Sequence, residues 1–175
     1  MRWTDRRRST SVATLVAVAV AVAVAVAVGL VLAACGGDGL ADPQAEVAER
    51  GTEVMPFDLD ATTHTFTRTA TGGVQLVTAD DPADERQIEL IRGHLREERE
   101  RFSRGDFDDP AAIHGEDMPG VAELAAGYDR ITVTYAERPA GAELTYATDE
   151  PELVDAVHAW FERQVMDHGE HAQED

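Results

Sequence analysis

The chain of 175 residues is strongly acidic, with 34 aspartates and glutamates against 15 basic residues, all of them arginine. The formal net charge of −19 argues against a nucleic-acid-binding surface, because little on such a surface would neutralise phosphates. The absence of lysine excludes Schiff-base chemistry and a P-loop lysine. The single cysteine excludes an intrachain disulfide, a thiolate zinc site and a redox pair, and the length suits one domain.

The first 34 residues have the composition of an export signal. A basic start, with Arg2 and Arg6 to Arg8, precedes an uncharged run from Val12 to Ala34 that consists mostly of valine and alanine. As a helix, this run of 23 residues extends about 35 Å, which is enough to cross the hydrocarbon layer of a membrane. We therefore expect residues 1–34 to be a signal peptide.

The end of this run resembles the lipobox of bacterial lipoproteins, with the order Leu32-Ala33-Ala34-Cys35. The resemblance implies that Cys35 receives a diacylglyceryl group, that cleavage follows Ala34, and that further acylation, for example by palmitate, anchors the protein on the extracytoplasmic face of the cell membrane. Two other interpretations stay open. One is an uncleaved membrane helix in which Cys35 is incidental, and the other is a cytosolic protein whose translation starts at Met55.

A linker is predicted after the lipobox. Residues 36–60 are rich in glycine, alanine, aspartate and glutamate, contain two prolines and show little periodicity. Residues 1–34 hold four arginines against one aspartate, so a chain cut after Ala34 carries a net charge of −22, which repels anionic lipid. We therefore predict a flexible acidic tether over 35–60 that holds a single folded domain, residues 61–172, away from the membrane.

The folded part is predicted to contain one supersecondary unit twice. In the first unit, β-prone segments at 65–69 and 74–78 precede a helix, and in the second unit, segments at 130–136 and 144–146 precede another. The apolar stripes of the two helices are Ile88, Ile91, Leu95 and Phe102 in the first, and Val154, Val157, Phe161 and Val165 in the second. Residues 97–101 are expected mostly to face solvent.

One hairpin cannot bury its helix alone, so the two units are expected to pair their strands. We predict an α+β fold: a two-layer sandwich in which a four-stranded antiparallel sheet comes from two strand-strand-helix repeats and both long helices lie on one face. About 110 residues suffice for one modest core.

The segment that joins the two units carries the densest group of chemistry-bearing residues. It places His114, Glu116, Asp117 and Met118 within five positions. Imidazole with thioether suits copper or haem iron, and imidazole with carboxylate suits zinc. A glycine and a proline in the segment favour a loop, where binding residues are common. The structural alternative is that His114 caps the following helix, 121–128, and that Met118 fills the core.

The last helix carries His158 and His168 near its apolar stripe. Ten residues separate them, about 15 Å along a helix, so these two cannot share one metal ion without a third element. We predict a metal site in which the joining segment folds over the sheet edge and brings His114 and Met118 to His158, with His168 as a further candidate. The structural alternative for His158 is a hydrogen-bonded core histidine.

From Met55 to its carboxyl end, the chain resembles a group of small actinobacterial envelope proteins. The stretches that carry the resemblance are Met55 to Leu59 (MPFDL), Ile113 to Gly120 (IHGEDMPG) and the helix from Leu153 to Gly169. Some such proteins are called aspartate carbamoyltransferase, a name that implies a Ser-x-Arg-Thr phosphate loop and an essential lysine. The nearest string here is Thr67-Arg68-Thr69, on a predicted strand, and the chain has no lysine.

Three classes of function follow. The first is an acidic, lipid-anchored extracytoplasmic lipoprotein whose domain is a binding or accessory module, with copper, zinc or haem as its ligand. The second is a small enzyme, either a hydrolase that uses His114 with Glu116 or Asp117, or the transferase named above. The third is a protein that binds a partner through exposed aromatic residues, Trp160 and Tyr128. A catalytic histidine is expected beside a carboxylate in a concave pocket.

Overall fold

The computed structural model describes residues 43–175, and the predicted signal peptide and Cys35 lie outside them. The helices are α1 (Pro43–Val54), α2 (Glu85–Phe102), α3 (Asp108–His114), α4 (Val121–Ala126) and α5 (Pro151–His168). The strands are β1 (Thr62–Thr69), β2 (Gly72–Ala79), β3 (Thr132–Arg138), β4 (Gly141–Ala147) and β5 (Ala172–Glu174). Short 3-10 helices cover Leu59–Ala61, Tyr128–Arg130 and Gly169–His171. None of the helices in this part of the chain has the length and apolar character needed to cross a membrane.

The predicted strand-strand-helix repeat is present and gives an α+β fold. The strands lie in the order β3-β4-β2-β1-β5, so the second strands of the two units, β2 and β4, pair antiparallel at the centre of the sheet. The helices are exchanged between the units, because α2 packs chiefly on β4 and β3 whereas α5 packs on β2, β1 and β5. Each unit therefore buries the helix of the other, and neither has a complete core alone.

The prediction of a four-stranded antiparallel sheet is wrong, because the sheet has five strands and is mixed. β5 runs parallel to β1, with Ala172 opposite His64 and Glu174 opposite Phe66. The chain reverses through the 3-10 helix after α5 and satisfies backbone groups that would otherwise be unpaired at the edge of β1. A strand of three residues is too short for hydrophobic alternation to reveal it in the sequence.

The prediction of a flexible tether over 35–60 is wrong for residues 43–60. This segment forms α1 and a 3-10 helix, and its buried positions include Val47, Gly51 and Leu59. A Cβ atom on Gly51 would lie 2.9 Å from Cδ1 of Leu59, so the glycine allows a close approach. Only two residues of α1 are buried, and one of them is a glycine. The helix therefore has almost no apolar stripe that the sequence could display.

The long helices bury more than their predicted stripes. The stripe of α2 is confirmed, but Glu98, which we expected to face solvent, is buried with it. Its spacing explains this, because Glu98 lies three residues after Leu95 and four before Phe102, on the same face. On α5, the buried face is rotated relative to the prediction and consists of Leu153, Ala156, Val157, Trp160, Phe161, Gln164, Asp167 and His168.

Trp160 occupies the centre of the core, so the prediction that it is exposed is wrong. Its side chain is 1% exposed, and its ring meets the rings of Phe102 and Tyr146 edge-on at centroid distances of 5.8 and 5.4 Å. Tyr128, by contrast, is exposed as predicted. A tryptophan large enough to contact both α2 and β4 joins the exchanged helices to one core.

Gly120 precedes α4 and lies close to the backbone of α5. Its φ is +81°, and a Cβ atom there would lie 2.0 Å from the carbonyl oxygen of Ala156. We predict that Gly120→Ala lowers the free energy of unfolding by about 1–3 kcal/mol or more, because both the space and the backbone conformation oppose a side chain. Urea unfolding measures this change.

The matched control is Gly93→Ala, within α2, where a Cβ atom would meet nothing within 4 Å. This variant is expected to raise the free energy of unfolding by about 0.5–1 kcal/mol, because alanine is the better helix former. Equal effects of the two substitutions would contradict the close approach between α4 and α5.

Candidate functional site

Four of the six histidines of the chain line one cavity, which we call the histidine cavity. His64 comes from β1, His94 from α2, His114 from the end of α3 and His168 from the end of α5. The volume of the cavity is about 20 Å³, which is enough for one water molecule or one ion. Elements that are distant in the sequence therefore deliver imidazoles to a space of atomic size.

The rest of the wall combines apolar side chains with a few polar ones. The apolar part comes from aliphatic, aromatic and thioether side chains: Met55, Phe57, Phe66, Val77, Leu95, Pro110, Ile113 and Trp160. The polar part consists of Gln75, Glu98 and Gln164. Met55 and Phe57 belong to the segment that was predicted to be a tether, so that segment completes the site.

The most fully oriented histidine of the cavity is His114. Its Nδ1 donates a hydrogen bond to Oδ2 of Asp167 at 2.8 Å, and its side chain is 1% exposed. Arg163 donates to the same carboxylate oxygen at 2.8 Å. Because Nδ1 carries the proton, Nε2 presents a lone pair, and this buried atom has no hydrogen-bond partner among residues 43–175. A carboxylate that orients an imidazole in this way is typical of metal ligands and of general bases.

The backbone of His114 is fixed by two neighbouring segments. His114 is the last residue of α3, which ends at Gly115 with a φ of +96°. From α1, Arg50 donates through Nε to the carbonyl oxygen of Ile113 at 2.6 Å and so satisfies an acceptor at the end of α3. The loop predicted around His114 is therefore helical up to this residue. Asp108 and Asp109 in the first turn of α3 favour that helix.

Two more buried polar atoms at the histidine cavity have no hydrogen-bond partner within the described part of the chain. They are Nδ1 of His64 and Nε1 of Trp160. Leaving a buried polar atom unpaired costs about 1–3 kcal/mol, so native proteins rarely do so. The residues that carry these atoms and Nε2 of His114 all line the same small cavity, which favours a polar occupant.

The other two histidines of the cavity have partners. The ring of His168 stacks on His64 at 5.3 Å and meets His114 edge-on at 5.0 Å, and its Nε2 donates to Oε1 of Gln164 at 3.0 Å. Nε2 of His94 lies 3.5 Å from Oε1 of Glu98. His168 therefore connects the two imidazoles that have unpaired nitrogens.

Burial keeps three imidazoles of the cavity neutral, those of His64, His114 and His168. Loss of hydration, with a smaller effect from His168, holds the pKa of His64 well below its usual value. Loss of hydration also lowers the pKa of His114, although Asp167 opposes it, and lowers the pKa of His168 to about 4. Burial raises the pKa of Glu98. A neutral imidazole has the lone pair that a metal ion or a proton requires.

The predicted metal trio of His114, Met118 and His158 is not brought together. Met118 packs in the hydrophobic core. His158 donates through Nε2 to the carbonyl oxygens of Thr69 at 3.0 Å and Gly72 at 2.9 Å, and so fastens α5 to the β1–β2 turn. Met118 and His158 therefore have structural roles, as the alternatives to metal binding predicted for these two residues.

His114 meets His168 instead of His158. The two histidines of α5 are ten residues apart, about 15 Å along the helix, so contact with His168 places His158 away from the cavity. Across residues 43–175, no group of three or more His, Cys, Asp or Glu side chains is spaced to hold a metal ion.

The carboxylate beside His114 is not one of the two predicted from the sequence. Glu116 and Asp117 follow α3 and are exposed, whereas Asp167 comes from α5, 53 residues after His114. His64 was not among the predicted site residues, although it alternates with Phe66 on the inward face of β1. That alternation was the available signal, because it extends the predicted strand by one inward position.

The buried neutral histidines make stability depend on pH. In the unfolded chain, His168 takes up a proton near pH 6.5, whereas in the folded protein it takes one up only near pH 4. Between these values the unfolded state binds the extra proton, so the free energy of unfolding falls as the pH is lowered from about 6.5 to about 4, by about 1.4 kcal/mol per pH unit for this residue. Urea unfolding at a series of pH values measures the slope.

His168→Gln is expected to flatten that slope, because it removes the imidazole whose pKa is lowered. His171→Gln removes a half-exposed imidazole three residues later and serves as the matched control, with the slope retained. A slope that is unchanged in His168→Gln would contradict the neutral state of buried His168.

Comparison of the chain with family models, with curated proteins and with solved structures gives no match. The resemblance of residues 32–35 to a lipobox, and of the body to small actinobacterial envelope proteins, therefore stays a prediction. The chemistry of the histidine cavity is what remains to indicate a function.

Proposed function

We propose that the protein is a membrane-anchored extracytoplasmic lipoprotein whose folded module binds one transition-metal ion in the histidine cavity. The observation that carries this proposal is the pair of unpaired imidazole nitrogens, Nδ1 of His64 and Nε2 of His114, at a space of atomic size. Imidazole nitrogen is a ligand that suits zinc, copper, iron and nickel.

The hydrogen bond from His114 to Asp167 supports metal binding more than a purely structural role. Metal-ligating histidines almost always donate their second ring nitrogen to a carboxylate or carbonyl, which fixes the tautomer and raises the basicity of the ligating nitrogen. Asp167 provides this contact, and Arg163 in turn holds Asp167. Loss of such a carboxylate typically reduces metal affinity by about 10–100-fold.

The size of the cavity favours an ion over haem or an organic substrate. About 20 Å³ of room accommodates one atom, whereas pockets for small organic molecules measure about 300–1,000 Å³. His114 and Asp167 also resemble a general base with its orienting carboxylate, but the cavity lacks the space that a substrate would need. By size alone, a single copper or zinc ion therefore fits this cavity and haem does not.

The membrane anchor in this proposal is a diacylglyceryl group on Cys35. Eight positions separate Cys35 from Pro43, where α1 begins, so a fully extended linker spans at most about 30 Å. The acidic composition of the module disfavours contact with anionic lipid. The module is then held close to the membrane without lying on it.

Metal titration of the full-length protein, with native mass spectrometry to count bound ions, tests the metal site. We expect one ion of copper or zinc per chain. His114→Ala should weaken binding by at least about 100-fold, because it removes a ligand, and Asp167→Asn by about 10–100-fold, because it removes only the orienting carboxylate.

His158→Gln is the matched control, since it removes an imidazole outside the cavity and keeps a side-chain donor for the Thr69 and Gly72 carbonyls. Circular dichroism checks that each variant is folded. The proposal is wrong if the wild type binds neither metal, or if a folded His114→Ala variant binds as tightly as the wild type.

Radiolabelled palmitate fed to expressing cells tests the anchor. We expect incorporation into the wild type and none into Cys35→Ala, because a lipoprotein is acylated at that cysteine and nowhere else. Mass spectrometry of the mature protein should place its first residue at Cys35. A mature amino terminus at another position would contradict the lipoprotein proposal.

A further inference from the structure

We propose that the ion of the histidine cavity is monovalent copper, held by Nδ1 of His64, Nε2 of His114 and the thioether sulfur of Met55. This inference rests on the proposed metal-binding function and adds the identity of the metal and a third ligand. The joining segment was predicted to supply the thioether through Met118, but the residue at the cavity is Met55, which directly follows α1.

The donor atoms around the cavity match a soft ion. Two residues that each have an imidazole nitrogen without a partner, His64 and His114, line the same small cavity as the thioether residue Met55. Thioether sulfur selects monovalent copper, whereas magnesium, calcium and manganese prefer oxygen ligands. The carboxyl group of Glu98 also lies on the cavity wall. Because burial raises its pKa and Nε2 of His94 lies 3.5 Å from its Oε1, it is a poor oxygen ligand for a hard cation.

The number of ligands also separates copper from zinc. Protein zinc sites use three or four Cys, His, Asp or Glu ligands, and no such set is spaced for a metal within residues 43–175. Monovalent copper is stable with two or three nitrogen or sulfur donors. His64 and His114 with Met55 supply two nitrogens and one sulfur, a set that contains a residue type which zinc sites do not use.

Met55 is placed to complete this set. Its backbone N–H bonds to the carbonyl oxygen of Gly51 at 2.8 Å, which continues the hydrogen bonding of α1 and fixes the start of the side chain. The side chain itself is half-buried and packs against the core. A methionine side chain has three rotatable bonds, so the sulfur adjusts to an ion without movement of the backbone.

The surroundings favour a low charge on the ion. Phe57, Phe66 and Trp160 form an apolar part of the wall, so an ion in the cavity loses most of its hydration. The cost of that loss rises with the square of the charge, which penalises a divalent ion more than a monovalent one. The nearby carboxylate of Asp167 is already shared between His114 and Arg163, so it balances little additional positive charge.

The test is competition for monovalent copper against a chromophoric chelator, under anaerobic reducing conditions, with the full-length protein, and a parallel titration with zinc. We expect one copper ion per chain, bound at least about 100-fold more tightly than zinc. Met55→Leu should weaken copper binding at least about tenfold and leave zinc binding within about twofold, because leucine preserves the volume and removes the sulfur. X-ray absorption at the copper edge should detect sulfur in the wild type and lose it in Met55→Leu.

Met118→Leu is the matched control, because Met118 is a buried methionine of the core that does not line the cavity. It should change neither affinity. Repeating the titration in a Cys35→Ala background removes copper held by that thiol. Zinc that binds as tightly as copper, or copper binding unaffected by Met55→Leu, overturns this inference and leaves the metal-binding function standing. Failure of both metals to bind overturns the function as well.

Discussion

The hydrogen bond between His114 and Asp167 is the contact on which the site depends. It joins the end of α3 to the end of α5, and both lie against the segment that contains α1. The bond fixes the orientation of an imidazole that lines the histidine cavity and leaves its other nitrogen without a partner among residues 43–175. Without it, the ring of His114 has no fixed tautomer, and its lone pair has no fixed direction. The architecture around the bond therefore determines which chemistry the cavity supports.

This arrangement costs stability. Three imidazoles are kept neutral by burial, and three polar atoms lie at the cavity without partners among the described residues. A core made of apolar side chains would avoid both costs. The exchanged helices and the aromatic cluster around Trp160 provide the packing that offsets them. A bound ion or water that satisfies the free nitrogens would return part of the lost free energy.

Much of the fold could be predicted from the sequence, because it comes from local periodicity. Alternation in the strands and the 3.6-residue stripe of α2 are properties of neighbouring residues, and the repeat of the two units suggested their pairing. The helix α1 and the strand β5 could not be predicted in this way. One is held by a close approach at Gly51, and the other by the free edge of β1, and both contacts depend on distant residues.

The sequence by itself determined the chemical inventory of the protein: an acidic chain without lysine, two strand-strand-helix units, and a few histidines and methionines near apolar positions. Only the tertiary structure decided which of these side chains meet. It placed Met118 in the core and His158 against the β1–β2 turn, and it collected the imidazoles of His64 and His114 beside Met55. The physical reason is that a pattern of spacing specifies a face of one helix or strand. The partners of that face are set by how whole elements pack.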